Sequence, residues 1–412
     1  MASIPALPAA SGSLPPCYVL GVETHIGLSV VRELGAAGVP VIAVAVDPQA
    51  IGQVSRYAHA AELIRHPRQP EGLAEIRALG ERHGAGFMLT VSEGNVKWLI
   101  DHADQLGCIR PLVPPAESFA IVLDKVRTLA AAEAVGIKVP RSACPASWAE
   151  VEEIARSFRF PAVLKWADPN IMFEPLKKHG LDMVKADYVY TAEEFLAVAA
   201  RYRPMGQWPL MQEYCAGAGL GQFFYMHRGE AVRRFQHVRV AEWPPEGGFS
   251  SVCDGVPLDQ FRALQDKSIQ LLRHIGWEGL AMVEYRYDPA TGEAVLMEVN
   301  GRFWGSFPLA MYSGAKFAWL TYMVQGLGQV PALPPLREGV RCRMVATEIK
   351  RLQRILLAPG KIRDRMFVRR PAYEVFRFFR DFLRPSVYYY VWSWRDPRPF
   401  WRDLRNALFR RR

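Results

Sequence analysis

The chain has 412 residues, is 50% hydrophobic and 22% charged, and carries a formal net charge of +10, enough sequence for two or three domains around a large core. No run of about 18 apolar residues is present, which argues against a membrane-spanning helix. Six cysteines, with no C-x-x-C and no clustering with histidine, argue against a zinc site and against a disulfide framework.

Residues 1–16 are rich in Ala, Pro and Ser and lack the basic start and apolar stretch of a secretion signal, so they read as a disordered leader of a cytoplasmic protein. Cys17 to Glu23 begins as a buried strand, a helix follows Gly27, and Val39 to Asp47 is a second strand ending in an acid. That is a β-α-β unit of Rossmann appearance. Its glycines, Gly21 and Gly27, are spaced G-x5-G, so the dinucleotide fingerprint is absent. Phe87 to Thr90 reads as another strand, and Ser92 as the cap of a helix running to His102 whose start could otherwise receive an anionic group. Leu112-Val-Pro-Pro115 marks the end of this first domain, 17–115.

The second domain, 116–336, mixes helices and strands in two blocks, an α+β pattern. Helical sequence surrounds Asp124-Lys125, and a helix is expected over Trp148 to Phe158. Lys165 closes the apolar strand Phe160 to Trp166, where a buried ammonium needs an anion to offset its desolvation. A polar loop carries Lys177-Lys178-His179-Gly180. A strand over Val184 to Tyr190 and a helix over Ala192 to Arg201, capped by Thr191, come next. Pro209 to Gly217 is an apolar strand breaking into glycine, and Gln222–Met226 with Ala231–Val240 form a hairpin across residues 227–230.

After a helix from Phe261 to Ile275, two strands, Leu280 to Tyr287 and Ala294 to Asn300, are joined by the turn sequence Asp288-Pro-Ala-Thr-Gly292. Alternation places Glu298 and Asn300 on one face, and the hairpin brings Glu284 near them. With Arg302 one step further, two carboxylates, an amide and a guanidinium suit a hard cation and phosphate oxygens. Taken alone, the same pattern also fits a half-exposed edge strand with a solvated charge pair.

In this order, Lys125, Lys165, the 209–217 strand, Glu284 and Glu298-x-Asn300-x-Arg302 resemble the ATP-grasp superfamily, over about residues 17–330 including a smaller preceding domain. The resemblance implies that Lys125 and Lys165 contact ATP phosphates, and that Gln212, Glu213, Tyr214 and Cys215 form the hinge, where backbone groups of Glu213 and Cys215 read adenine. It further implies that Glu284, Glu298 and Asn300 hold Mg²⁺ (or Mn²⁺) between the phosphates, and that Arg302 stabilises the transferred phosphoryl group or the substrate carboxylate. Two departures stand out. Residues 168–180 replace the usual glycine-rich phosphate cover with a basic loop, and no ribose acid follows the hinge, Gln222 and Glu213 being weak substitutes.

Arg239 precedes the flexible Glu246 to Ser251 loop and is either a strand arginine beside an ordinary turn or the group that fixes the substrate carboxylate. The texture of this segment is similar to carboxylate–amine ligases with small-molecule substrates, which activate a carboxylate as an acyl phosphate, release ADP and phosphate, and let an amine, or less readily a thiol, attack. The alternatives are a nucleotide-binding regulator or scaffold that has lost turnover, and a carboxylase making carboxyphosphate, for which no biotin attachment segment is evident.

Residues 337–412 carry 21 Lys and Arg against 7 Asp and Glu, leaving 30 against 34 in the first 336. Within Ala372 to Arg384, Val375, Phe376, Phe379, Phe382 and Leu383 recur at helical spacing opposite charged residues, and Trp401, Leu404 and Leu408 align in a second run. This basic, aromatic-rich extension suits an anionic membrane surface or an acidic protein partner; nucleic acid is disfavoured because no recognition motif accompanies the charge. The plainer arrangement packs the aromatic face on the body and leaves the arginines in water.

Overall fold

The computed structural model describes residues 14–167, 169–183 and 186–409. Residues 1–13 of the expected leader, and Val184 and Lys185 of the strand expected over 184–190, lie outside the described residues; in that region the strand is Asp187–Val189.

Strands β1 (Cys17–Leu20), β2 (Val41–Ala45), β3 (Ala60–Leu63), β4 (Gly86–Thr90) and β5 (Ile109–Pro111) form a parallel sheet in the order β3-β2-β1-β4-β5. The central strands β1, β2 and β4 are buried along their whole length because both faces are covered. Val19, Val41 and Ala43 pack under the helix His25–Gly35, while Tyr18, Leu20 and Ile42 pack with Ile76 and Leu79 of the helix Pro70–His83. The G-x5-G spacing has a packing cause. Gly21 has φ +101°, and a Cβ on Gly27 would sit 2.3 Å from the Gly21 carbonyl oxygen, so the helix rides directly on the turn after β1. Thr24 caps that helix through the Gly27 N–H.

A four-stranded antiparallel sheet, β6 (Ser142–Ala143), β7 (Ala162–Lys165), β8 (Asp187–Val189) and β9 (Leu210–Glu213), is ordered β6-β9-β7-β8 and forms a small lobe with its own core around Val151, Phe195 and Met211. Ser147 and Thr191 cap its helices Trp148–Ser157 and Ala192–Ala200. Residues expected as a basic loop are instead the helix Pro169–Lys178. Met172 and Leu176, one helical turn apart, are buried in the small-lobe core, and this apolar pair outweighs the polar composition.

The large sheet has seven strands: β10 (Ala218–His227), β11 (Glu230–Trp243), β12 (Phe249–Gly255), β13 (Gly279–Asp288), β14 (Glu293–Asn300), β15 (Arg341–Arg343) and β16 (Val387–Tyr389), ordered β14-β13-β10-β11-β12-β15-β16. Arg228 and Gly229, both at positive φ, make the tight β10–β11 turn. The C-terminal segment therefore supplies two strands of the sheet that carries the hairpin.

That segment packs the opposite way from the plainer expectation. In the helix Pro371–Arg380 and the turn after it, Glu374, Arg377, Phe378 and Asp381 are buried, while Phe376 and Phe379 are 61% and 63% exposed and Leu383 is 85% exposed. Its polar groups are drawn inward by charges already in the fold. Arg341 bridges Asp254 and Asp381 at 2.6 and 2.7 Å. Glu348 joins Arg343 at 2.5 Å and Arg377 at 3.1 Å, and Glu374 joins Arg377 and Arg351, each at 2.7 Å. Arg32 on the first helix reaches Asp396 at 3.0 Å.

Candidate active site

The hairpin β13–β14 places Glu284 directly opposite Glu298. The Asn300 amide donates to Glu298 Oε1 at 3.0 Å, which leaves its carbonyl oxygen free to act as a ligand. Both carboxylates face a cavity of about 870 Å³ that opens between the small-lobe sheet and the large sheet, with Glu93 of the first domain on its wall. Lys165, at the end of β7, and Lys125, the first residue of the helix Lys125–Ala134, line the same cavity, as do Arg239, Asn300 and Arg302. Asp124 caps the Lys125 helix through the N–H groups of Val126 and Arg127, which fixes where that lysine begins.

Burial opposes ionisation of Glu298, yet Lys125, the Asn300 amide, Lys165 and Arg302 together hold its carboxyl down at about 2. Glu284 behaves differently: burial pushes its pKa up, Glu298 and Glu242 add to that, and the Arg239 guanidinium offsets only part. Burial also lowers the Lys165 pKa, with Glu298 acting against the shift. Two facing carboxylates and an amide oxygen form an oxygen donor set suited to Mg²⁺, which takes one or two protein carboxylates and completes its shell with phosphates and water. No group of three or more His, Cys, Asp or Glu among the described residues is placed to hold a metal ion, so such an ion would draw on Asn300 and on substrate oxygens.

Arg239 spends its guanidinium on the protein. Nη2 meets Glu284 at 2.5 Å, and Nη1 meets Glu242 Oε1 at 2.9 Å and the Gly248 carbonyl at 3.0 Å. Arg302 bonds the Phe303 carbonyl and pairs with Glu93 at 3.1 Å. Glu93 opens the helix Glu93–Asp101, whose start is capped by Ser92 as expected.

The proposed hinge is the end of β9 and the two residues after it. Gln212 is buried and donates to Ser142 Oγ at 3.1 Å; the Glu213 N–H goes to the Arg141 carbonyl at 2.9 Å. Tyr214 donates its N–H to Pro161 and its hydroxyl to Asp364 of the C-terminal segment at 2.8 Å. Burial and Glu213 raise the Cys215 thiol to about 11, so it is a neutral group there. None of Gln212 to Cys215 lines the cavity, nor do Lys177 and Lys178.

Sequence reasoning missed several lining residues: Arg286, Glu242, Tyr188, Trp166, Glu93, and Arg354 and Arg363 of the C-terminal segment. Arg286 was within reach, because it stands two residues from Glu284 on one strand and shares its face. Glu242 was not. Irregular pairing of β11 with β12 between Arg239 and Glu242 turns it toward Arg239, and nothing local signals a bulge.

A family model described as "Carbamoyl-phosphate synthase L chain, ATP binding domain" matches residues 253–319, which include Glu284, Glu298, Asn300 and Arg302. Comparison with curated proteins gives no match. Solved structures of similar fold include the biotin carboxylase domain of Hydrogenobacter thermophilus 2-oxoglutarate carboxylase with MgADP, ADP and bicarbonate, at TM-score 0.61 and 13% identity, over 80% of this chain and 74% of that one. The L-amino acid ligase of Bacillus licheniformis matches at TM-score 0.56 and 14% identity, over 76% and 74%. The N5-carboxyaminoimidazole ribonucleotide synthetase of Thermus thermophilus matches at 0.59 and 15%, over 79% and 82%.

Proposed function

Starting from the ATP-grasp fold that this chain has, we propose that it is an ATP-dependent carboxylate–amine ligase of the cytoplasm. The observation that carries this reading is Glu298, held ionised opposite Glu284 and hydrogen-bonded to Asn300, in one cavity with Lys125 and Lys165. A divalent ion, Mg²⁺ before Mn²⁺, would be held by Glu298, Glu284 and Asn300 and would neutralise phosphate charge. The two lysines take the phosphate oxygens as point charges. The Glu213 N–H is already bonded within the lobe, which leaves the adenine donor on this hinge to Cys215, a residue outside the wall of the cavity itself.

The carboxylate oxygen bonds to the γ-phosphorus as the bond to the ADP oxygen breaks. The amine nitrogen then bonds to the acyl carbon, phosphate leaves with the bonding electrons, and the nitrogen's surplus proton passes to solvent or phosphate. Arg302 lies along the cavity wall to stabilise charge on the transferred group. Arg239 would be freed to fix the substrate carboxylate where Glu284 turns toward a bound ion, since the two cations would then share that carboxylate. Catalysis then rests on positioning and charge neutralisation.

A carboxyphosphate-forming carboxylase uses the same core, and carboxylases are among the proteins of similar fold. One experiment separates these readings. The protein is incubated with Mg·ATP, hydroxylamine and a panel of carboxylic acids, and hydroxamate and ADP are measured. A carboxylate-dependent hydroxamate with ADP is expected. AMP formation overturns the acyl-phosphate mechanism, bicarbonate-dependent ADP release without hydroxamate favours the carboxylase, and nucleotide binding without turnover favours a regulator.

A further inference from the structure

The C-terminal segment turns a greasy and basic face outward, and charge decides what that face fits. On the helix Pro371–Arg380 and its continuation, Tyr373, Phe376, Phe379 and Leu383 form one exposed stripe, opposite buried Glu374, Arg377 and Asp381. A helix on a protein body ordinarily shows the reverse arrangement. Leu357, Met366 and Val368 add exposed apolar side chains upstream. All three acids between residues 349 and 384, Asp364, Glu374 and Asp381, are buried at 5%, 8% and 0% exposure. Lys350, Lys361, Arg369, Arg370 and Arg384 remain in solvent, and among the described residues no carboxylate pairs with the first four. The surface of this segment is therefore apolar and cationic, with its carboxylates withdrawn.

The inversion occurs a second time. The helix Arg398–Phe409 fastens its polar side to the first domain, Arg402 to the Pro48 carbonyl and Asn406 and Arg405 to Gln49, and leaves Trp401 and Leu408 59% and 68% exposed. No described helix is long and apolar enough to cross a membrane.

We propose that the face built by residues 349–384 docks on an anionic lipid surface, with the Phe376–Phe379–Leu383 stripe at the acyl boundary and the surrounding lysines and arginines among the headgroups. An aromatic stripe flanked by cations suits that boundary, and each basic residue near it strengthens binding. A second copy of the chain fits poorly, because a two-fold contact would set one cationic fringe against another.

The test uses the full chain and sedimentation with phosphatidylcholine vesicles, with and without phosphatidylserine, at low and high salt. Binding is expected only with phosphatidylserine and should weaken at high salt. Combined Arg369→Ala and Arg370→Ala should reduce it about 30-fold, and Phe376→Glu with Phe379→Glu should abolish it. The variants' thermal unfolding midpoints, read alongside, should stay with the parent, because each altered side chain is exposed. Failure to bind phosphatidylserine vesicles at low salt overturns the proposal. So does equal, salt-insensitive binding to both vesicle types, or a concentration-dependent dimer that hides the face and leaves vesicles unbound. None of these outcomes touches the ligase reading, which hydroxamate formation tests separately.

Discussion

The β13–β14 hairpin and the helix Pro371–Arg380 are both amphipathic, yet they bury opposite faces. On the hairpin, the apolar residues Val283, Tyr285, Leu296 and Val299 go into the core and the charged ones face a cavity. On the helix, Glu374 and Arg377 go in and Phe376 and Phe379 stay out. A periodicity defines two faces but does not say which one is buried; the partner surface decides. The hairpin lies on an apolar layer, whereas the helix lies on Arg343, Glu348 and Arg351, which have charge to satisfy.

The largest expected effect breaks the inward-facing charge. Glu348→Ala leaves Arg343 and Arg377 buried against a missing carboxylate, and denaturant unfolding should record a loss of about 3–5 kcal/mol. Next, Glu298→Gln should lower turnover about 10²–10³-fold and, because it removes charge and little volume, leave the protein folded, with a loss of stability at neutral pH confined to the missing charge. Activity that survives Glu298→Gln would detach the hairpin from the chemistry. Phe376→Ser, on the outward face, should change stability by no more than about 0.5 kcal/mol; a large loss there would mean that the exposed stripe is packed in solution.

The last effect is in acid. The folded-state pKa of Glu298 lies at about 2, below its ordinary value of 4.5, so as pH falls the unfolded chain takes the proton first. The stabilisation from its ionised form is present above about 4.5 and drains away between there and 2. Stability curves of parent and Glu298→Gln should therefore converge in that window. Between pH 5 and 8 this carboxylate stays charged, and nucleotide affinity should show no titration from it.

The contrast also explains what could be read from the chain. Glu284, Glu298 and Asn300 were legible because strand alternation and a five-residue turn are local features. Lys165 was legible because a lysine ending an apolar run is chemically conspicuous. The short strands β3, β5, β15 and β16 were not, since three or four residues such as Arg341-Cys-Arg343 become a strand only when a neighbour offers its edge. Arg354 and Arg363 were invisible as lining residues for the same reason: they enter the cavity through a fold-back that local pattern does not encode.

Asp364 accepts hydrogen bonds from Tyr190 at 2.9 Å and from Tyr214 at 2.8 Å, which follow β8 and β9, the two strands flanking β7 in the small lobe. The two phenols and one carboxylate act as a clasp between that lobe and the C-terminal segment. Swinging the lobe away must either open both bonds or drag residues 363–366 with it. Whatever steadies this segment from outside thereby changes the work of opening the lobe, and by reciprocity whatever holds the lobe shut changes how firmly the segment is held.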